Sequence, residues 1–121
     1  MFAWQEYLKI ADQLLQQQNE AGFRSAISRA YYATYNKAVA KLIEEGQITR
    51  VDPTEVGKHK KTWDFYRLSH DGRRRQIGIS GDRLRKTRTD SDYDQDTAID
   101  AALASKCVIG ARHLYNNIDA L

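Results

Sequence analysis

Basic side chains in the middle of this chain are its clearest candidates for chemistry. Residues 58–90, which we call the basic segment, contain eleven Lys or Arg and four Asp, a net charge of +7. The rest of the 121-residue chain carries −4, so the overall charge of +3 hides this asymmetry. Because guanidinium groups match the geometry of phosphate oxygens, the basic segment predicts a phosphate-bearing partner such as a nucleic acid. The predicted nucleic-acid contacts are Lys58, Lys60, Lys61, Arg73, Arg74, Arg75, Arg83 and Lys86.

Charge alone supports a second interpretation equally well. The same cations could form a solvated face, or a dimer contact that balances the carboxylates of Asp92, Asp94 and Asp96. Trp63, Tyr66 and Tyr93 could stack on unpaired bases, although we expect Trp63 and Tyr66 in the core. The composition therefore leaves nucleic-acid binding and a solvated or dimeric face open.

Other kinds of site are poorly supported. His59 and His70 are eleven residues apart, roughly 16 Å along a continuous helix, and His113 has no neighbouring ligand, so we expect no metal ion. The sequence GISGDR lacks the Gly-Lys-Ser/Thr end of a phosphate loop, and we expect no cofactor. Cys107 falls on an apolar helical stripe, which predicts a buried thiol rather than a nucleophile.

Helical periodicity predicts the elements that position these residues. Apolar side chains recur every three or four residues in segments 2–18, 23–42 and 99–118, and a short basic helix is predicted over 82–89. No segment alternates as a strand does. Residues 71–82 contain three glycines and three consecutive arginines, which favour a connection or a broken helix. We therefore predict an all-α fold, an antiparallel up-and-down bundle of four to five helices in one domain, residues 1–121.

A further helix is predicted to begin near Pro53. Asp52 suits its N-cap, and proline is favoured in a first turn because its missing N–H would be unpaired there anyway. The spacing predicts one buried face along this helix, made of Val56, His59, Trp63, Tyr66 and His70. The last helix carries a similar stripe that includes Cys107 and Gly110.

The composition also predicts where the chain acts. One cysteine cannot form an intramolecular disulfide, and the N-terminal residues lack the features of a signal peptide. No apolar run approaches the roughly 20 residues of a membrane-spanning helix. We expect a cytoplasmic protein without a membrane partner.

Two segments resemble the HEPN superfamily, which comprises small helical domains of nucleotide-binding systems. Residues 22–40, GFRSAISRAYYATYNKAVA, resemble the second helix of that family, and residues 84–94, LRKTRTDSDYD, resemble the basic stretch before its final helix. Trp4, Tyr7 and residues 57–59 extend the likeness over most of the chain. The resemblance implies a bundle of four or five antiparallel helices, often a two-fold dimer, and frequently the toxin of a toxin–antitoxin or phage-defence system.

Many HEPN members are metal-independent ribonucleases, whose active motif is an Arg followed a few residues later by a His. Aligning Tyr93 with the tyrosine that follows this motif in some members places Ser91 at the His position, with Arg85 five intervening residues before it. The resemblance thus implies Arg85, Arg88, Ser91 and Tyr93 as catalytic residues. A serine does not titrate near pH 7 as histidine does. Cleavage by a variant site, and binding of RNA, a nucleotide or a partner without catalysis, both remain open.

Tyr93 has a further implied role. In some HEPN pairs a nucleotidyltransferase antitoxin attaches AMP to this tyrosine, which would add bulk and negative charge to a basic groove. The alternative is that Tyr93 caps the core beside the last helix. The expected partners are therefore a second copy of the chain, RNA and a nucleotidyltransferase antitoxin. A purely structural interaction domain is the third and least specific hypothesis.

Overall fold

The chain folds into five α-helices. A computed structural model describes residues 2–52 and 54–121, and that part of the chain contains no strand. The helices are α1 (Glu6–Leu15), α2 (Glu20–Glu44), α3 (Lys58–Arg67), α4 (Gly72–Tyr93) and α5 (Ala101–Asp119). The predicted all-α bundle is confirmed. Within the described ranges, no helix combines the length and apolar character needed to cross a bilayer.

Helix α2 lies at the centre of the bundle and contacts each of the other four helices. Its start is fixed by Asn19, whose side chain accepts a hydrogen bond from the Gly22 amide at 2.7 Å. Alanine is buried at several of its turns, where a side chain this small lets neighbouring helices approach closely. These fully buried alanines are Ala26, Ala30, Ala33 and Ala38.

Residues 71–82 form the first half of α4, so the predicted connection or broken helix is wrong. Asp71 caps the helix by accepting a hydrogen bond from the Arg73 amide, and the helix then runs unbroken to Tyr93. A Cβ on Gly78 would lie less than 3.0 Å from the Arg67 backbone, and one on Gly81 would enter the Trp63 ring. These glycines therefore allow α3 and α4 to pack closely, rather than interrupting the helix.

Helix α3 begins at Lys58, later than predicted. Asp52 does accept a hydrogen bond from the Thr54 amide at 2.9 Å, but the backbone there forms a turn and not the start of a helix. Pro53 itself lies outside the described residues. Gly57 then adopts a left-handed conformation, with φ +75°, before the helix starts. Because Val56 precedes the helix and His70 follows it, neither joins the predicted buried face, and both are exposed.

Two residues of the predicted face, Trp63 and Tyr66, are confirmed as buried, whereas His59 is half-buried. Trp63 and Tyr66 are fully buried. The Trp63 indole donates to the Tyr31 hydroxyl at 3.0 Å, and the Tyr66 hydroxyl donates to the Ala38 carbonyl at 2.6 Å. Both aromatic side chains thus tie α3 to α2.

Helix α5 begins after Asp100, whose side chain accepts a hydrogen bond from the Leu103 amide at 2.8 Å. Its apolar stripe is confirmed at Leu114 and Ile118, which are buried, whereas Cys107 is only half-buried. Gly110, predicted on the same stripe, is exposed. The buried face instead passes through Val108 and Ala111 on either side of it.

Candidate functional site

The basic segment does not form one continuous face. Arg74 and Arg88 are fourteen residues apart on α4, which separates them by roughly 21 Å along the helix axis. At the near end, Arg74 forms an ion pair with Glu45, and Arg75 donates to the carbonyls of Ser69 and His70. These cations at the start of α4 hold the neighbouring loops.

Most of the other predicted contacts also have acidic partners nearby. On α3, Lys60 lies 3.5 Å from Asp64, and Lys61 pairs with Glu55. On α4 and its N-cap the corresponding pairs are Arg73 with Asp71 at 3.6 Å, and Arg85 and Lys86 with Asp82 at 2.9 and 3.6 Å. Arg83 has no ion pair among the described residues; it is exposed and borders both a cavity shared with α5 and one lined by Arg67 of α3. The interpretation as a solvated face therefore applies to a large part of the basic segment.

A different group of residues meets where α2, α3 and α4 come together. We call it the His59 cluster; it consists of Tyr31, Tyr32, Tyr35, Lys58, His59, Trp63, Arg85 and Arg88. His59 stacks on Tyr35 with ring centroids 4.0 Å apart, and its Nδ1 lies 2.8 Å from the Tyr31 hydroxyl. Tyr32 and His59 are half-buried, so the cluster reaches the protein surface.

The hydrogen bonds of Tyr31 bear on which His59 nitrogen carries the proton. The Tyr31 oxygen accepts from the Trp63 indole, and His59 Nδ1 is the one further hydrogen-bond partner of this hydroxyl among the described residues, so we infer that the hydroxyl donates to it. Burial raises the pKa of Tyr31, so its hydroxyl stays protonated at neutral pH. We infer that neutral His59 carries its proton on Nε2, where it is a hydrogen-bond donor.

His59 is held in its neutral form. Its pKa is lowered from 6.5 to about 4, first by burial and then by the positive charges of Arg88, Lys58 and Arg85. A histidine beside three cations loses its own positive charge but keeps a donor N–H. The His59 cluster therefore presents hydrogen-bond donors of two kinds, imidazole and cationic, to the same region.

Arg88 is the most buried cation of the cluster, with 7% of its surface exposed. Its guanidinium lies 5.1 Å from the Tyr31 ring centroid and 5.2 Å from that of Tyr32. One Nη donates to Asp92 at 3.3 Å, and the Ser28 hydroxyl donates to the same carboxylate at 3.4 Å. The buried Arg88 Nε has no hydrogen-bond partner among the described residues. An unsatisfied buried donor of this kind is uncommon in folded proteins.

The other two residues implied as catalytic lie elsewhere. Ser91 is 2% exposed, and its hydroxyl donates to the Thr87 carbonyl at 2.9 Å, as serine does inside helices. It cannot reach a phosphate in this structure. Tyr93 is 78% exposed at the end of α4, so the alternative that it caps the core is wrong.

Sequence reasoning did not place His59 beside Arg88, because 29 residues separate them. Two other arginines of α2 differ in their contacts: Arg29 is exposed and lies over the Tyr7 ring at 5.2 Å. Arg24 instead binds the end of α4 and the loop that follows, because it donates to the carbonyls of Asp90, Ser91, Asp94 and Thr97. The available signal for His59 was the resemblance of residues 57–59 to HEPN proteins.

The described residues include no group of three or more His, Cys, Asp or Glu side chains placed to hold a metal ion. No protein-family model, curated protein or solved structure matches this chain. The His59 cluster is the arrangement of functional groups on which a role can be argued.

Proposed function

We propose that this chain is a HEPN-like module that binds single-stranded RNA through the His59 cluster. The observation that carries the proposal is the convergence of Arg85, Arg88 and Lys58 on a histidine that remains neutral. A phosphate placed beside this histidine would meet the imidazole N–H, Lys58, and two arginines, Arg85 and Arg88, that it would share with the carboxylates of Asp82 and Asp92. The preference for RNA among phosphate-bearing ligands rests on the HEPN resemblance.

The aromatic side chains of the cluster support a single-stranded ligand. Tyr32 is half-buried and lies edge-on to His59, with centroids 5.8 Å apart. A partly exposed tyrosine ring next to cations can stack on an unpaired base while the cations bind its phosphate. A base in a duplex would not be accessible in this way.

The geometry favours binding over cleavage. Metal-independent cleavage requires a group that takes the proton of the 2′-hydroxyl. In the tautomer that we infer from the Tyr31 contacts, the His59 Nδ1 accepts a hydrogen bond and the Nε2 already carries a proton. The Asp92 carboxylate accepts from Arg88 and Ser28. The cluster is therefore rich in donors and lacks a free proton acceptor.

RNA binding can be tested with Lys58 and Lys60, the two lysines of α3 that flank His59 in the sequence. Binding of a labelled single-stranded RNA should weaken about 15-fold between about 50 and 200 mM salt, as expected for about three phosphate contacts. Lys58→Ala should remove about one such contact and weaken binding several-fold. Lys60→Ala is the matched control, because it removes the same charge from α3 at a position outside the cluster. Equal effects of the two substitutions would indicate diffuse attraction and contradict the proposed site.

A second candidate function is metal-independent ribonuclease activity, favoured by the proximity of His59 to two arginines. The test is incubation with mixed RNA in the presence of a chelator, comparing wild type with His59→Ala and with Arg85→Ala. Cleavage that disappears in both variants would support catalysis. Cleavage of equal rate in all three proteins would indicate contamination.

The wider biological role that we propose follows the HEPN resemblance: a cytoplasmic toxin or defence protein that acts as a homodimer with a nucleotidyltransferase antitoxin. The exposed Tyr93 side chain supports a modification site, since its hydroxyl is accessible to another protein. Incubation with ATP and a nucleotidyltransferase encoded beside the gene should add AMP to the wild type and not to Tyr93→Phe. Modification of both proteins would place the AMP on another residue.

A further inference from the structure

A groove runs between α4 and α5, on a side of α4 that the His59 cluster does not use. Two adjoining cavities of about 360 and 310 Å³ share Ser80, Gly110 and Leu114, and together they form this groove. It extends along α4 from Arg73 to Thr87, which corresponds to roughly 21 Å of helix. That length accommodates about four turns of another helix.

The floor of the groove is apolar and its walls are basic. Leu84, Leu103 and Leu114 contribute to the floor. Arg83 and Lys106 stand on opposite walls, one on α4 and one on α5, and neither has an ion pair among the described residues. None of the described residues that line the groove is acidic. The groove therefore combines a surface that favours apolar side chains with charges that favour carboxylates.

Small residues in the groove leave room for a close approach. Ser80 lies on the α4 side and Gly110 on the α5 side. A Cβ added to Gly110 would meet no heavy atom within 4 Å, so open space lies above this glycine. Helices that pack at short distances place small residues of this kind at the contact.

We propose that the α4–α5 groove binds an amphipathic helix of a partner protein, with leucine-type side chains on one face and acidic residues flanking them. The apolar face would cover the floor, and carboxylates would pair with Arg83 and Lys106. The charge complementarity, the four-turn length and the open space at Gly110 point to this occupant. RNA would use the basic walls but would leave the leucine floor exposed to water. The proposal is independent of RNA binding at the His59 cluster.

The test uses three synthetic four-turn peptides. The first has a leucine stripe flanked by glutamates, the second has lysines in place of the glutamates, and the third has the acidic composition in scrambled order. Binding to the full chain is measured by fluorescence anisotropy and by amide NMR shifts. The acidic amphipathic peptide should bind with a Kd below about 1 mM and shift the amides of Ser80 and Gly110. The scrambled and basic peptides should not.

Variants of the protein locate the binding. Gly110→Trp should abolish peptide binding by filling the groove, while Gly110→Ala should retain it. Reversing both charges in Arg83→Glu/Lys106→Glu should weaken binding about tenfold, since two attractions are replaced by repulsions. The matched control for net charge is Lys9→Glu/Arg50→Glu, at exposed positions outside the groove.

Several results would overturn the proposal. Failure of the acidic amphipathic peptide to bind, or equal binding of the scrambled peptide, would show that the groove does not recognise such a helix. Dissociation of a wild-type dimer by Gly110→Trp would assign the groove to a second copy of the chain. If RNA rather than the peptide shifts the groove amides, the groove binds nucleic acid instead.

Discussion

The close packing of α3 on α4 can be tested at Gly81. A methyl group at this position would enter the ring of Trp63, which is fully buried and cannot swing into solvent. Overpacking of this kind lowers the free energy of unfolding by about 1–3 kcal/mol. Replacing glycine by alanine inside a helix raises it by about 1 kcal/mol, because alanine has the higher helix propensity. Because the overlap involves several atoms of a rigid ring, we expect the upper part of that range. Gly81→Ala should therefore lower the free energy of unfolding by about 2 kcal/mol.

Gly110→Ala is the matched control on α5. This glycine is also inside a helix, but its Cβ would meet nothing within 4 Å, so only the gain in helix propensity remains. We expect an increase of about 0.5–1 kcal/mol in the free energy of unfolding. Urea denaturation followed by circular dichroism and tryptophan fluorescence measures both changes. Equal stabilisation by the two substitutions would refute the packing of Gly81 against Trp63.

Three further predictions concern single side chains. The pKa of His59 is lowered to about 4 in the folded chain, compared with about 6.5 in the unfolded chain. Neutral His59 therefore contributes its full share to the free energy of unfolding above pH 6.5, and this contribution is lost as the pH falls toward 4. Over this pH interval the free energy of unfolding of the wild type should fall by about 1–2 kcal/mol more than that of His59→Gln, allowing for solvent screening at a half-exposed site. Parallel plots of this free energy against pH for the two proteins would contradict the lowered pKa of His59. Arg24→Ala should lower the free energy of unfolding by about 2–3 kcal/mol, because it leaves several carbonyls unpaired. Arg29→Ala should lower it by less than about 1 kcal/mol, and thermal unfolding of the two variants measures the difference. Arg88→Lys keeps the charge but removes the planar guanidinium beside Tyr31 and Tyr32. It should therefore change the near-ultraviolet circular dichroism spectrum and lower the free energy of unfolding by about 1–2 kcal/mol. An unchanged spectrum and an unchanged free energy of unfolding would show that the guanidinium–tyrosine contacts are unimportant.

Hydrophobic spacing predicted the helical fold because each long helix buries a stripe that repeats every three or four residues. The same reasoning failed at residues 71–82, where Gly78 and Gly81 were interpreted as interruptions. Sequence alone does not distinguish a glycine that ends a helix from a glycine that allows a neighbouring helix to pack closely. Only the position of Trp63 and the Arg67 backbone distinguishes them.

The candidate site was predicted in part. The resemblance singled out Arg85 and Arg88, and the structure brings both near His59. Charge density along the chain could not show that Arg74 pairs with Glu45, 29 residues away, or that Arg88 lies beside two tyrosine rings. Such pairings depend on how helices pack, and a count of cations carries no information about them.

The most direct test of the proposed RNA site is an NMR titration of the imidazole nitrogens with a short single-stranded RNA. His59 should show the Nε2–H tautomer in the free chain, and its Nε2 resonance should shift on RNA binding. His70 and His113 provide internal controls, since both are exposed and lie outside the cluster. RNA should produce a saturable shift at His59 with little change at the other two histidines. RNA binding that leaves the His59 resonances unchanged would contradict the proposed site.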